Sequence, residues 1–163
     1  MSPQGNLLHR YQRGVEPRRL VVDLLAPDNL GPRADLTTTP PGRTLEVPGG
    51  RQAAQRTEAV IVQLGQRTGR IRRPSLFGAI VAKAAAVGIK TASPERHYRD
   101  LAFLLSLPAN PLRLRAELDK GDRKKLALAK ALHDPQHAAW RQLADEGARA
   151  DGRAMYAFLS PSA

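Results

Sequence analysis

The sequence predicts an α+β protein in two parts: a small portion with a mixed β-sheet over residues 1–74, then a helical domain over 75–163. Two observations carry this division. Up to Pro74 the chain is broken repeatedly by Pro and Gly, in "APDNLGPRAD", "TTTPPGRTLEVPGG" and "GQRTGRIRRP", with short β-prone runs between the breaks. From Ser75 onward Ala and Leu dominate, apolar residues recur every three or four positions, and Pro falls mainly at helix starts. A chain of 163 residues is long enough for a real core.

The β-prone runs are Leu20–Leu25, Thr44–Val47, Glu58–Leu64 and Gly69–Arg72. The last two flank "GQRTG", a Gly-bounded turn that predicts a hairpin, and "GGRQAAQR" reads as a short helix before it. The first run holds an anomaly. Strand alternation puts Leu20, Val22 and Leu24 on one face and Val21, Asp23 and Leu25 on the other. A carboxylate among buried aliphatic side chains is costly unless it is paired, hydrogen-bonded or bound to a cation. Either this strand has a solvated face or Asp23 has a chemical role.

Helices are predicted at Ser75–Ile89, Pro94–Leu107, Pro111–Leu118, Asp122–Leu132, Gln136–Ala144 and Arg149–Phe158. The first of these is apolar nearly all round, which marks a central helix, and Lys83 is its only charge before Ile89. Lys83 either snorkels to water along its apolar stem or points into a polar cleft. In the next helix Ser93 is the expected N-cap and Pro94 the first residue. There His97, Asp100, Leu104 and Leu107 share a face, so the leucines are expected to bury it and to leave His97 and Asp100 at its mouth. The local alternative for Asp100 is an ion pair with Arg96 one turn back. Trp140, near Leu132 and Leu143, is expected in the core of the terminal helices.

Composition narrows the function classes. The chain carries 26 Lys+Arg against 15 Asp+Glu, a formal net charge of +11. That balance favours an anionic partner, although the coding bias of a GC-rich genome also enriches Arg. The absence of cysteine excludes disulfides and thiolate metal sites and fits a cytoplasmic protein. No apolar run reaches the roughly 20 residues of a membrane span, so no membrane partner is expected. The chain contains neither a GxxxxGK[ST] phosphate loop nor a GxGxxG fingerprint. His133 and His137 stand four apart, but Pro135 between them argues against a metal-binding helix face. The basic stretch "RLRAELDKGDRKKLALAK" is either a solvated face or a source of phosphate contacts, and aromatic content of 4% disfavours a stacking platform for single strands.

Four stretches, "VVDLLAPDNLGPR", "TTPPGRTLEVPGGRQAAQRTE", "GRIRRPSLFGAIVAKAAA" and "ERHYRDLAFLLSL", occur in an order that resembles the nucleotidyltransferase-like toxins of type IV toxin–antitoxin and abortive-infection systems, the AbiEii-like family. The resemblance runs from about His9 to the C-terminus. It implies a nucleotidyltransferase-like sheet before the helical domain, and Mg²⁺-dependent transfer of nucleotide from an NTP to an acceptor such as tRNA. In that family an apolar strand carries the third active-site carboxylate, a position that Asp23 matches; Asp23 is thereby the implied metal ligand. Lys83 and Asp100 match the family's helix lysine and the second Asp of its K-D-x-x-D-L helix, while His97 stands where the first Asp is usual. The candidate nucleotide- or RNA-binding cations are Arg96 and Arg99 beside this helix motif, and Arg123, Lys124 and Lys125 of the basic stretch.

One motif of the family is missing. Its Gly-Ser or Gly-Gly turn is followed by an Asp-x-Asp pair, which suits a two-metal site. This sequence contains no Asp-x-Asp and no Gly-Ser, and only 22 residues precede Asp23. The expectation is therefore a truncated, inactive fragment. An unpaired sheet edge would favour self-association, and an antitoxin protein is a further implied partner. The rival reading is a non-catalytic basic module that binds RNA or an acidic, antitoxin-like protein.

Overall fold

The computed structural model describes residues 7–89 and 93–160. The chain forms an α+β protein whose contacts divide it into two compact units, Met1–Arg51 and Gln52–Ala163. The contacts divide the chain before the hairpin that precedes Ser75, which lies in the same unit as the helices.

In the first unit β1 (Arg10–Arg13) and β2 (Leu20–Asp23) pair antiparallel, with Arg10 opposite Asp23 and Arg13 opposite Leu20. Gly14 sits in the connecting turn at φ 85°, where a Cβ would lie 3.0 Å from the Arg18 carbonyl oxygen. Downstream, β3 (Ala26–Pro27) runs parallel to β4 (Glu46–Val47). The expectation of a buried strand over Leu20–Leu25 is corrected here, because every residue of that run is exposed. Its strand partner is a polar segment with no apolar alternation, so neither face of the ribbon has a layer to bury.

A short helix, α1 (Gly50–Gln55), leads to β5 (Thr57–Leu64) and β6 (Arg67–Pro74), an antiparallel hairpin with Thr57 opposite Pro74 and Leu64 opposite Arg67. Gly65, at φ 59°, makes its tight turn possible. Both β-prone runs flanking "GQRTG" are thus strands, each longer than its sequence signal. Among the described residues the named strands form three separate two-stranded sheets in place of one mixed sheet. Frequent Pro and Gly keep β3 and β4 to two residues each, too short to bridge the two hairpins.

The helices of the second unit are α2 (Leu76–Val87), α3 (Pro94–Ser106), α4 (Pro111–Ala116), α5 (Lys120–Leu126), a 3₁₀ segment (Ala127–His133), α6 (Ala138–Arg141) and α7 (Glu146–Leu159). Ser75 caps α2 by accepting from the Gly78 amide at 3.2 Å. The expected helix Asp122–Leu132 starts earlier and breaks. Asp119 is its N-cap, in a capping box with Asp122, and non-helical torsions at Ala129 interrupt the 3₁₀ segment. Gln136–Ala144 contracts to α6, because His137 is the cap, its Nδ1 accepting from the Ala139 amide. The last helix begins before Arg149, since the Asp145 carboxylate accepts from the Gly147 and Ala148 amides.

The core lies among these helices. Phe77, Ile80, Val81, Leu101, Leu105 and Trp140 are fully buried or within 1% of it. Trp140 donates its indole N–H to the Leu132 carbonyl at 3.0 Å, so the most bulky buried side chain leaves no orphaned donor. The core face of α3 is Leu101, Ala102 and Leu105. Leu104 and Leu107 are only half-buried, which corrects the face expected from spacing and sets Asp100 on the flank. No helix among the described residues is long and apolar enough to cross a membrane.

Candidate functional site

Lys83 projects from an otherwise uncharged α2 toward the first turns of α3. Its Nζ donates to Asp100 Oδ2 at 2.8 Å, with 35% and 29% of the two side chains exposed. The Arg99 Nε lies 3.9 Å from the other Asp100 oxygen. Lys83 therefore neither snorkels freely nor leaves Asp100 to Arg96; the α2–α3 pair replaces the local i, i+4 pairing. These residues line a pocket of about 430 Å³ with Phe103, Leu104 and Gln142. It is an apolar recess with a charged rim, two cations to one carboxylate.

Electrostatics follow from this geometry. Burial pushes the Asp100 carboxyl up, but the Lys83 hydrogen bond and the charges of Lys83, Arg99 and Arg96 outweigh it and hold the group below the usual carboxylate range. Partial burial pushes the neighbouring His97 imidazole down, with Lys83 and Arg96 acting the same way and Asp100 opposing. The His97 Nδ1 is buried without a hydrogen-bond partner. A neutral imidazole satisfies that environment better than a charged one.

Asp23 belongs to the first unit and has its own partner. Arg10, directly opposite on β1, donates Nε to Oδ1 at 2.7 Å and Nη2 to Oδ2 at 2.8 Å, a bidentate pair. The Arg10 hydrogen bond holds the Asp23 carboxyl below its ordinary value. This answers the anomaly in the sequence: the strand has a solvated face, and the carboxylate is paired across it. Both oxygens are committed to a guanidinium, so the described residues do not fit Asp23 as a metal ligand. No group of three His, Cys, Asp or Glu side chains placed to hold a metal occurs among the described residues. The structure thus joins Lys83, Asp100 and Arg99 and gives Asp23 a separate, structural partner.

The remaining expected cations vary in setting. Arg96, Arg123 and Lys124 are exposed and Lys125 is half-buried. His133 lies against Tyr156 and His137 against Tyr98, in tilted ring contacts at separations of 4.9 and 4.8 Å. Sequence reasoning missed Arg56 and the depth of Asp122. Asp122 is the one fully buried charged side chain among the described residues, and Arg56 Nη2 meets it at 2.7 Å. The same guanidinium lies 4.9 Å over the Phe77 ring and donates to the Glu117 carbonyl. The spacing Asp119-x-x-Asp122 was the available signal for the cap. No family model, curated protein or solved structure matches the chain.

Proposed function

We propose that this chain is a non-catalytic portion of a nucleotidyltransferase-type protein, similar to the AbiEii-like toxins, that keeps the lysine–aspartate pair of such a site without its metal-binding carboxylates. The observation that supports it best is the 2.8 Å contact between Lys83 and Asp100 at the rim of an apolar pocket, with Arg99 beside it. In this reading Lys83 presents a point charge and Arg99 a planar guanidinium to an anionic group, and Asp100 fixes the lysine's position. The Asp-x-Asp pair that would hold Mg²⁺ is absent from the sequence, and Asp23 is held by Arg10. Incubation with Mg²⁺, each labelled NTP and total tRNA should leave the RNA unlabelled. Robust labelling that disappears in Asp23→Ala would overturn the proposal.

A second function fits the same chain: a basic module that binds RNA. It is favoured by α5, where Arg123 and Lys124 are exposed and neither forms an ion pair among the described residues. Such contacts bind backbone phosphates without reading bases. Salt-dependent RNA binding without turnover is the expected signature, and an acidic, antitoxin-like protein competing for the surface is the corresponding protein partner.

A further inference from the structure

The β5–β6 hairpin carries a surface that neither reading uses. Every residue of β6 is exposed, and four of its eight are arginine: Arg67, Arg70, Arg72 and Arg73. Residues opposite each other in an antiparallel pair project to the same side. The register therefore gives the ribbon two unlike faces. Arg70 stands opposite Ile61, Arg72 opposite Ala59 and Thr68 opposite Gln63, so one face carries two arginines and two polar side chains around Ile61 and Ala59. Val60, Ile71, Val62 and Leu64 lie on the other, with Arg67 opposite Leu64 at its tip and Glu58 and Arg73 paired at its base at 2.7 Å. Arg73 is the one β6 arginine that meets a carboxylate among the described residues. Among the described residues the Arg72 side chain donates only to the Thr57 hydroxyl, at 3.0 Å, and Arg67 and Arg70 meet no carboxylate.

Exposed arginines on flexible loops are ordinary; these are fixed on an eight-rung ladder. Arg70 and Arg72 are held about 6.7 Å apart along the strand, so little order must be imposed when they meet a repeating anion. A protein partner would need pockets for anchoring side chains, whereas the basic face is a two-stranded ribbon bearing guanidinium groups of one sign. A ribbon of two antiparallel strands is a shape that a nucleic-acid groove admits, and arginine forks match phosphate oxygens.

We propose that the β5–β6 hairpin is a nucleic-acid-binding ribbon, with Arg70 and Arg72 contacting the phosphodiester backbone. This rests on the nucleic-acid-binding reading and assigns it to the hairpin instead of α5. The test compares two double variants of the full chain that lose the same charge: Arg70→Gln/Arg72→Gln on the hairpin, and Arg123→Gln/Lys124→Gln on α5. Binding of labelled tRNA and of a labelled DNA duplex is measured across a salt series, with thermal melting of each variant as a check on folding. The tighter of the two probes identifies which backbone is preferred.

The hairpin variant should lose roughly tenfold in affinity at the lowest salt and reduce the slope of log K against log salt by about two. The α5 variant should change less in both. Wild-type affinity in the hairpin variant, with loss confined to α5, would overturn this assignment and leave the nucleic-acid-binding reading standing. Equal losses in both would also overturn it, since binding would then follow net charge alone. Failure of the unmodified chain to bind either probe would overturn both.

Discussion

The Arg56 guanidinium meets the Asp122 carboxylate at 2.7 Å, and Asp122 has no solvent exposure. One Asp122 oxygen also accepts from the Asp119 amide at 3.1 Å, so a single buried carboxylate joins the residue before β5 to the start of α5. Removing the carboxylate leaves Arg56 its longer 3.7 Å contact with the exposed Asp119 and the Glu117 carbonyl, without its one close charged partner. Asp122→Ala should therefore cost about 3–5 kcal/mol, read as a lower urea midpoint with an unchanged slope. A midpoint equal to the parent's would show that the pair contributes nothing.

Gly152 faces the indole of Trp140. A Cβ at this position would lie 2.9 Å from Trp140 Cζ3 and 3.5 Å from the Ser106 Cβ, inside a packed contact of α7. Gly152→Ala gains helix propensity but overpacks the core, and the steric loss is the larger effect, about 1–3 kcal/mol. Thermal denaturation should show a lower melting temperature, together with altered Trp140 fluorescence.

The Lys83–Asp100 pair is about one-third exposed, so its contribution to stability should be modest, about 0–1 kcal/mol. Its pH dependence has a definite sign. The folded Asp100 carboxyl lies below its ordinary value, so its contribution is full above about pH 3.9, the unfolded value, and is lost as pH falls through the folded one. Lys83→Met should shrink the difference in melting temperature between neutral and strongly acidic solution. An unchanged difference would mean that the pair does not form in solution.

Asp23 and Arg10 test the first unit separately. A carboxyl-resonance titration should place Asp23 below the usual aspartate range, and Arg10→Gln should return it toward that range. The melting of the helical unit should be the same in both proteins.

The helices were the most legible part of the sequence, because capping residues and N-terminal prolines announce themselves locally. Ser75, Pro94 and Pro111 stand at or beside real helix starts. The break at Ala129 was not legible, since the Ala- and Leu-rich run around it keeps helical composition through non-helical torsions. Leu20–Leu25 misled for a different reason. Its composition is that of a buried strand, but burial depends on a covering layer, and composition carries no record of one. Within the candidate site, spacing found Lys83 and Asp100 as anomalies, yet their pairing depends on how α2 and α3 cross. Arg56 was invisible because its partner lies 66 positions along the chain.

The distribution of buried apolar residues sets an order of stability within the chain. Among the described residues Ala26 is the one buried hydrophobic side chain before Arg51, and every other such residue follows it. With no disulfide to replace a core, the first unit rests on cross-strand hydrogen bonds and exposed pairs. Its amides should exchange with solvent hydrogen through local openings that leave the helices intact, while Trp140 and Tyr156 are exposed only when the second unit unfolds as a whole. A melting curve followed by tryptophan fluorescence thus reports on the second unit alone, and hydrogen exchange along β1 and β2 reports the separate opening of the first.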